Sequence, residues 1–413
     1  MKTDRTVTVD GRESPLSEVR NIRRKPQARA VLRGGQTIAG AVSGLTAVPA
    51  RLGGQSLTMD LSQATELDIW PGRQDDRVRW TLVVRQGGEE LYRRSRELGA
   101  TDSLRIVEVA RYVSEPHGVV EQAIFSPDGR RVLSCGENGS LWLWDRESGR
   151  LIRHFGGHRS QCALEAIAFS PDGRHVVSGG GDRVVRIWDV ESGRPIRRLE
   201  GHGGYVRAVC YSPDGRLVAS AGGGVDLHTD GVDQAVHLWD AETGDELRQL
   251  DGSSGRVWGL AYTPDGRHVF SAGGATAILW DAQAGREVRR FPGSREPIMT
   301  AAVFPDGLRA VTGGMDRVVR LWDLETGQEI HRFLGHPREV TWAALSPDGR
   351  LLLTSDFHGP ELRLWDVEGR AQIQQIGWVD GNPTRGSFSP DGRYVAWGGY
   401  DGIVRIYRVQ SGE

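Results

Sequence analysis

A Pro-Asp-Gly turn recurs seven times along this chain, at Pro127, Pro171, Pro213, Pro264, Pro305, Pro347 and Pro390. The intervals are 44, 42, 51, 41, 42 and 43 residues. A fixed period of this length means one supersecondary unit repeated and packed against its own copies, which leaves few folds open. Six of the seven units then reach a Trp-Asp pair, from Trp144-Asp145 to Trp365-Asp366, and the seventh has Tyr407-Arg408 instead.

Each unit reads as four short strands. In the second, AIAFS runs into SPDG, where Pro presets φ and Gly accepts φ > 0 for a tight reversal. HVVSGG, VVRIWD and RPIRRLEG follow, separated by a Gly-Gly-Asp turn and a Glu-Ser-Gly turn. β-branched and aromatic residues in near alternation predict strands of about five residues, with nothing at helical spacing. One such four-stranded sheet cannot bury both faces, but a ring of them can.

These residues resemble the WD-repeat family over about three quarters of the chain. The resemblance implies an all-β fold, a seven-bladed β-propeller over residues 101–413, preceded by a small β-rich module over 1–100. The last unit lacks a fourth strand, and an orphan strand precedes the first turn. Residues 104–111 are therefore expected to close the last blade. The resemblance also implies a structural tetrad in each complete unit: the His of Gly-His, a Ser or Thr, an Asp and the Trp. Two units match it fully, with His158, Ser178, Asp182 and Trp188, and with His202, Ser220, Asp233 and Trp239. The first unit comes close, with His117, Ser134, Asn138 and Trp144.

A His, a Ser and an Asp at orderly spacing also suggest a hydrolase triad. A nucleophile needs an exposed oxygen beside an oxyanion hole, and it occurs once. A set that recurs unit after unit reads instead as buried polar groups satisfying one another. No enzyme, cofactor or metal is expected. The units decay unevenly: Ser253 and Ser294 replace His in units four and five, unit six has a longer turn, and Trp397 takes the Ser position in unit seven. Blades four and seven are expected to be the softer ones.

Unit three carries an insertion, with 19 residues from Ser220 to Trp239 against 10 from Ser178 to Trp188. Asp226, His228, Asp230 and Gly231 resemble the opening of a calcium loop. His in place of an oxygen ligand and the missing Glu argue for a polar surface loop instead. Residues 1–25 parallel 55–71, as though they were the tail of an earlier copy of one module, and a hairpin is expected around Gln86-Gly87-Gly88.

The net charge of −2 supplies no field for nucleic acid or an acidic membrane. Cys135, Cys162 and Cys210 form no C-x-x-C pair. No apolar run reaches membrane-spanning length, and no apolar signal core opens the chain, so a cytoplasmic protein is expected. A closed propeller has little need to dimerise, so a monomer is expected unless the N-terminal module pairs. The functional expectation is a non-catalytic scaffold for protein partners. The alternatives are a sensor or regulatory module of a larger protein, or an enzyme with its site at the channel mouth. Candidate partner contacts on the Gly-His face are Arg159, Arg183, Tyr205, Trp258, Arg317, Arg338, Trp342, Phe357 and Tyr400.

Overall fold

The computed structural model describes residues 104–411 apart from 114–117, 157, 159–163, 225–232, 294, 358, 360 and 377–381, and the backbone of ten strands between Thr6 and Leu98. By compactness the chain divides into Met1–Arg105 with Gln410–Glu413, and Ile106–Val409. In the first unit, six strands form one antiparallel sheet. Val19–Arg23 pairs with both Ala28–Leu32 and Glu66–Gln74 inside it, so this strand belongs to the same sheet as the stretch it parallels in sequence. Arg77–Gln86 and Glu89–Leu98 pair as a hairpin.

The larger unit is all strand and turn. Five four-stranded antiparallel sheets succeed one another, each a simple meander. Blade two is typical: Leu164–Phe169, His175–Gly180, Val184–Asp189 and Pro195–Glu200 pair in chain order. Blades one and seven share an eight-stranded sheet, joined by one parallel bridge between Gln122 and Arg385. Its far edge is Leu104–Val113, lying beside Ile403–Ser411. The chain's early strand thus completes the blade that its last strands begin, and that blade's outer strand comes from the opposite end of the repeat.

The turns show the same closure. Each Pro-Asp-Gly glycine sits over the proline of the preceding blade's turn. Gly173 faces Pro127, Gly215 faces Pro171, and Gly129 faces Pro390, which closes the circle. Gly173 has φ 71°, and a Cβ there would stand 3.5 Å from Pro127, so both its backbone and its place in the ring favour glycine. Ser170 and Asp172 fix the turn: the hydroxyl donates to the carboxylate at 2.6 Å and accepts the His175 N–H at 2.9 Å.

The cores lie between blades rather than within them. Trp188 of blade two packs edge-on to Phe155 of blade one, among Leu133, Leu141 and Val176. Trp322 of blade five meets Phe291 of blade four in the same way, and Trp365 of blade six meets Phe333 of blade five. One sheet has two apolar faces, and each face is buried only by a neighbour, so closing the ring completes the core.

Candidate functional site

The four side chains that the repeat spacing singles out in blade two meet in one hydrogen-bonded chain. The Trp188 indole donates to Ser178 Oγ at 2.8 Å, Ser178 Oγ lies 2.8 Å from His158 Nε2, and His158 Nδ1 lies 2.9 Å from Asp182. Blade three repeats this with Trp239–Ser220 at 2.7 Å, Ser220–His202 at 2.7 Å and His202–Asp233 at 2.6 Å. Ser178 and Ser220 are fully buried, and each hydroxyl is held between an indole and an imidazole. Such an oxygen has no approach for a substrate carbonyl. In blade one, Trp144 donates to Ser134 at 2.9 Å; His117 lies outside the described residues.

Charge follows burial. Desolvation pulls the His158 imidazole below its usual range, against the opposing pull of Asp182. Desolvation pushes Asp182 upward, but the contacts from His158 and Arg186 outweigh it, and the carboxyl stays well below the ordinary range. The arrangement is a neutral His against a charged Asp.

Two features escape the sequence reading. Blade six completes its tetrad with Asp356, which lies on the strand and not in the turn. His336 Nδ1 contacts Asp356, His336 Nε2 lies 2.8 Å from Thr354 Oγ1, and Trp365 donates to the same oxygen at 2.8 Å. The second feature is a fifth position, two residues before the Trp. Arg363 holds it in blade six, paired with Glu361 at 3.0 Å. Arg186, Arg320 and Arg405 occupy it in blades two, five and seven, before Tyr407 in the last, each paired with the turn aspartate four residues earlier, at 2.6 Å for Asp182 and for Asp316. All three are nearly buried. The recurrence of Arg at that spacing was the signal.

The decayed blades differ in kind. Blade four keeps only Trp280 donating to Ser271, at 2.8 Å. Blade five keeps Trp322 on Thr312 at 2.8 Å together with the Asp316–Arg320 pair. In blade seven Trp397 stacks on Tyr407, ring centroids 3.8 Å apart, and its buried indole nitrogen has no hydrogen-bond partner. Tyr407 instead donates to Glu108 of the closing strand at 2.7 Å.

The candidate partner contacts separate into groups. Each inner strand carries a bulge where it nears the Gly-His face. Trp258 is a bulged residue, and the Arg207 guanidinium lies 4.3 Å from its ring centroid and 5.6 Å from that of Tyr205. Arg183 is exposed on blade two with φ 64°. Tyr400 is half-buried, and burial raises its phenol. Trp342 is a correction: it is 6% exposed, because Thr341 before it takes the bulge, and so it offers no surface anchor. Arg159 lies outside the described residues, as do Asp226, His228 and Asp230 of the inserted turn.

Arg317, Arg338 and Phe357 come together. Arg317 donates to the Pro337 carbonyl at 3.3 Å, tying the blade-five turn to the Gly-His loop of blade six. The Phe357 N–H donates to the Glu339 carbonyl at 2.7 Å, tying that loop to the next turn. On the same stretches, Met315 of the blade-five turn, Leu334 before the Gly-His pair of blade six and Phe357 of the blade-six turn are exposed, at 37%, 64% and 45%.

The model of the family described as WD domain, G-beta repeat matches residues 111–145, 149–189, 193–240, 244–281, 285–323, 327–366 and 381–408. One relative, WD repeat-containing protein 38 of Mus musculus, is 38% identical over 47 residues, which is 11% of this chain and 16% of that protein. No helix among the described residues is long and apolar enough to cross a membrane. Seven matched repeats, a closed ring of blades and a shared buried hydrogen-bond chain make this protein a member of the WD-repeat family.

Proposed function

We propose that this chain is a monomeric, non-catalytic scaffold that holds a protein partner on the Gly-His face of blades five and six. WD repeats in general serve protein–protein interaction. The observation that carries the finer reading is the surface joining Met315, Arg317, Leu334, Arg338 and Phe357. It combines exposed apolar side chains with two guanidinium groups on a backbone cross-linked by hydrogen bonds. Apolar contact rimmed by Arg is the composition of protein interfaces. Its rigidity limits the entropy lost on docking. The fitting partner presents an apolar segment flanked by carboxylates.

The test is capture from lysate of the parent cells, comparing wild type with the double variant Arg338→Glu and Phe357→Asp. Arg174→Glu on the opposite face is the control. A partner retained by the control and lost by the double variant supports the reading. A partner held equally by all three chains places the interface elsewhere.

A further inference from the structure

Blade three departs from its neighbours at the position two residues before the Trp. Where blades two, five, six and seven have Arg, it has His237. The same blade is the one whose second turn is lengthened. Arginine at this site can only donate: Arg186, Arg320 and Arg405 pair with the turn aspartate, and Arg363 pairs with Glu361. Imidazole can also supply a lone pair.

The geometry uses that difference. His202 Nδ1 lies 2.6 Å from Asp233 Oδ2, and His237 Nε2 lies 2.7 Å from Oδ1 of the same carboxylate. The ring centroids are 4.0 Å apart, and the three donor atoms lie within 4.8 Å of one another. All three side chains are at most 6% exposed. The outer nitrogens are occupied as well: His202 Nε2 is 2.7 Å from Ser220 Oγ, and His237 Nδ1 is 2.7 Å from Glu246 Oε1. With Asp233 between the rings, both inner nitrogens donate to it. Once that carboxylate turns to a metal, an imidazole that gives its outer N–H to a carboxylate, as His237 does to Glu246, presents its inner lone pair in a fixed orientation, the arrangement around metal-binding histidines. Trp239 stacks on His237 at 5.7 Å and holds the ring from behind.

We propose that His202, Asp233 and His237 form a binding site for a divalent transition-metal ion, with zinc the best match. Two imidazole nitrogens and one carboxylate oxygen suit zinc, which binds such ligands at about 2.0–2.2 Å. Calcium, which takes oxygen ligands, is poorly served. To admit the ion, Asp233 must shift from between the two rings. It lies in the lengthened turn between Ser220 and Trp239, so metal binding would fasten that turn to the blade. The three side chains leave a fourth position for water.

The rival account is that His237 is protonated and does only what Arg does elsewhere. His237→Arg separates the two, because it restores the repeat's own residue and keeps the charge. His237→Gln is the second variant, so that a folding failure in one leaves the other to decide. The full chain is equilibrated with zinc, freed of excess, and assayed for bound metal and for Tm with and without zinc. The expected result is one zinc per wild-type chain with a raised Tm, background zinc in both variants, and no effect of calcium on Tm. Wild type that retains no zinc, a folded variant that retains as much as wild type, or a calcium effect equal to that of zinc overturns the proposal.

Discussion

Blades two and seven have matching strands and turns, yet they handle one problem in opposite ways: the polar edge of a large ring in a dry interface. Blade two satisfies the Trp188 N–H through Ser178, His158 and Asp182. Blade seven moves its Trp to the neighbouring strand, stacks it on Tyr407, and leaves the Trp397 N–H without a partner. What both keep is an Asp–Arg pair with a buried guanidinium, Asp182 with Arg186 and Asp401 with Arg405. The tetrad is therefore one way of finishing a blade, and blade seven has another in the Tyr407–Glu108 bond to the closing strand.

If the ion pair is the shared element, breaking it should hurt both blades most. The Arg405 side chain is 1% exposed, and its other carboxylate, Glu108, lies 3.9 Å away. Asp401→Ala should cost about 3–5 kcal/mol, the usual penalty for an orphaned buried charge. Asp182→Ala should cost at least as much, since it also strips His158 of its acceptor. Urea midpoints at constant m measure both. A loss below about 1 kcal/mol for Asp401→Ala would remove the pair as the element common to the two blades.

Ser178→Ala tests the tetrad itself. It strands two buried groups, the Trp188 indole and His158 Nε2, at about 1–3 kcal/mol each. The matching change in blade four, Ser271→Ala, strands only the Trp280 indole and should cost about half as much. Equal losses would mean that the imidazole adds nothing to blade two.

A smaller effect should appear with pH. The His158 imidazole is held below its usual range, so the folded state binds this proton less readily than the unfolded chain. Stability must therefore fall as pH drops through the unfolded value near 6.5, by at most about 1.4 kcal/mol per pH unit for one proton. Asp182, depressed in the fold, adds a further loss below its unfolded value near 3.8. In His158→Gln the slope of stability between about pH 7 and 5 should be shallower than in wild type. An unchanged slope would show that His158 titrates alike in both states.

Most of the ring was legible because it rests on repeated turns. Pro-Asp-Gly and Trp-Asp spacing fixed seven units, and the missing fourth strand pointed to an outer strand near Leu104. The departures were harder to read. Asp356 lies two residues after Thr354, where a Ser178-to-Asp182 template looks four residues on, so the template passed over it. Trp342 looked like a surface anchor because alternation alone does not say which residue a bulge displaces. His237 carried no motif. Its meaning comes from Asp233 and Glu246, which flank it in sequence but converge on it only once three strands are paired.

The smallest predicted effect tests the other side of the contrast. Trp397→Phe deletes an N–H that makes no hydrogen bond while keeping an aromatic ring against Tyr407. Removing an unsatisfied buried donor recovers about 1–3 kcal/mol of desolvation. The lost ring volume leaves a void whose cost is of similar size. The two should nearly cancel, leaving stability within about 1 kcal/mol of wild type, whereas a polar group bonded as Ser178 is cannot be removed without loss. Trp397→Ser, which restores the repeat's residue without its Trp partner, should be clearly worse than Trp397→Phe, because it empties the stack and introduces a hydroxyl facing Tyr407. If Trp397→Ser matches or exceeds wild type, blade seven is a damaged copy of blade two. If Trp397→Phe is neutral and Trp397→Ser is not, its aromatic stack is a packing solution in its own right.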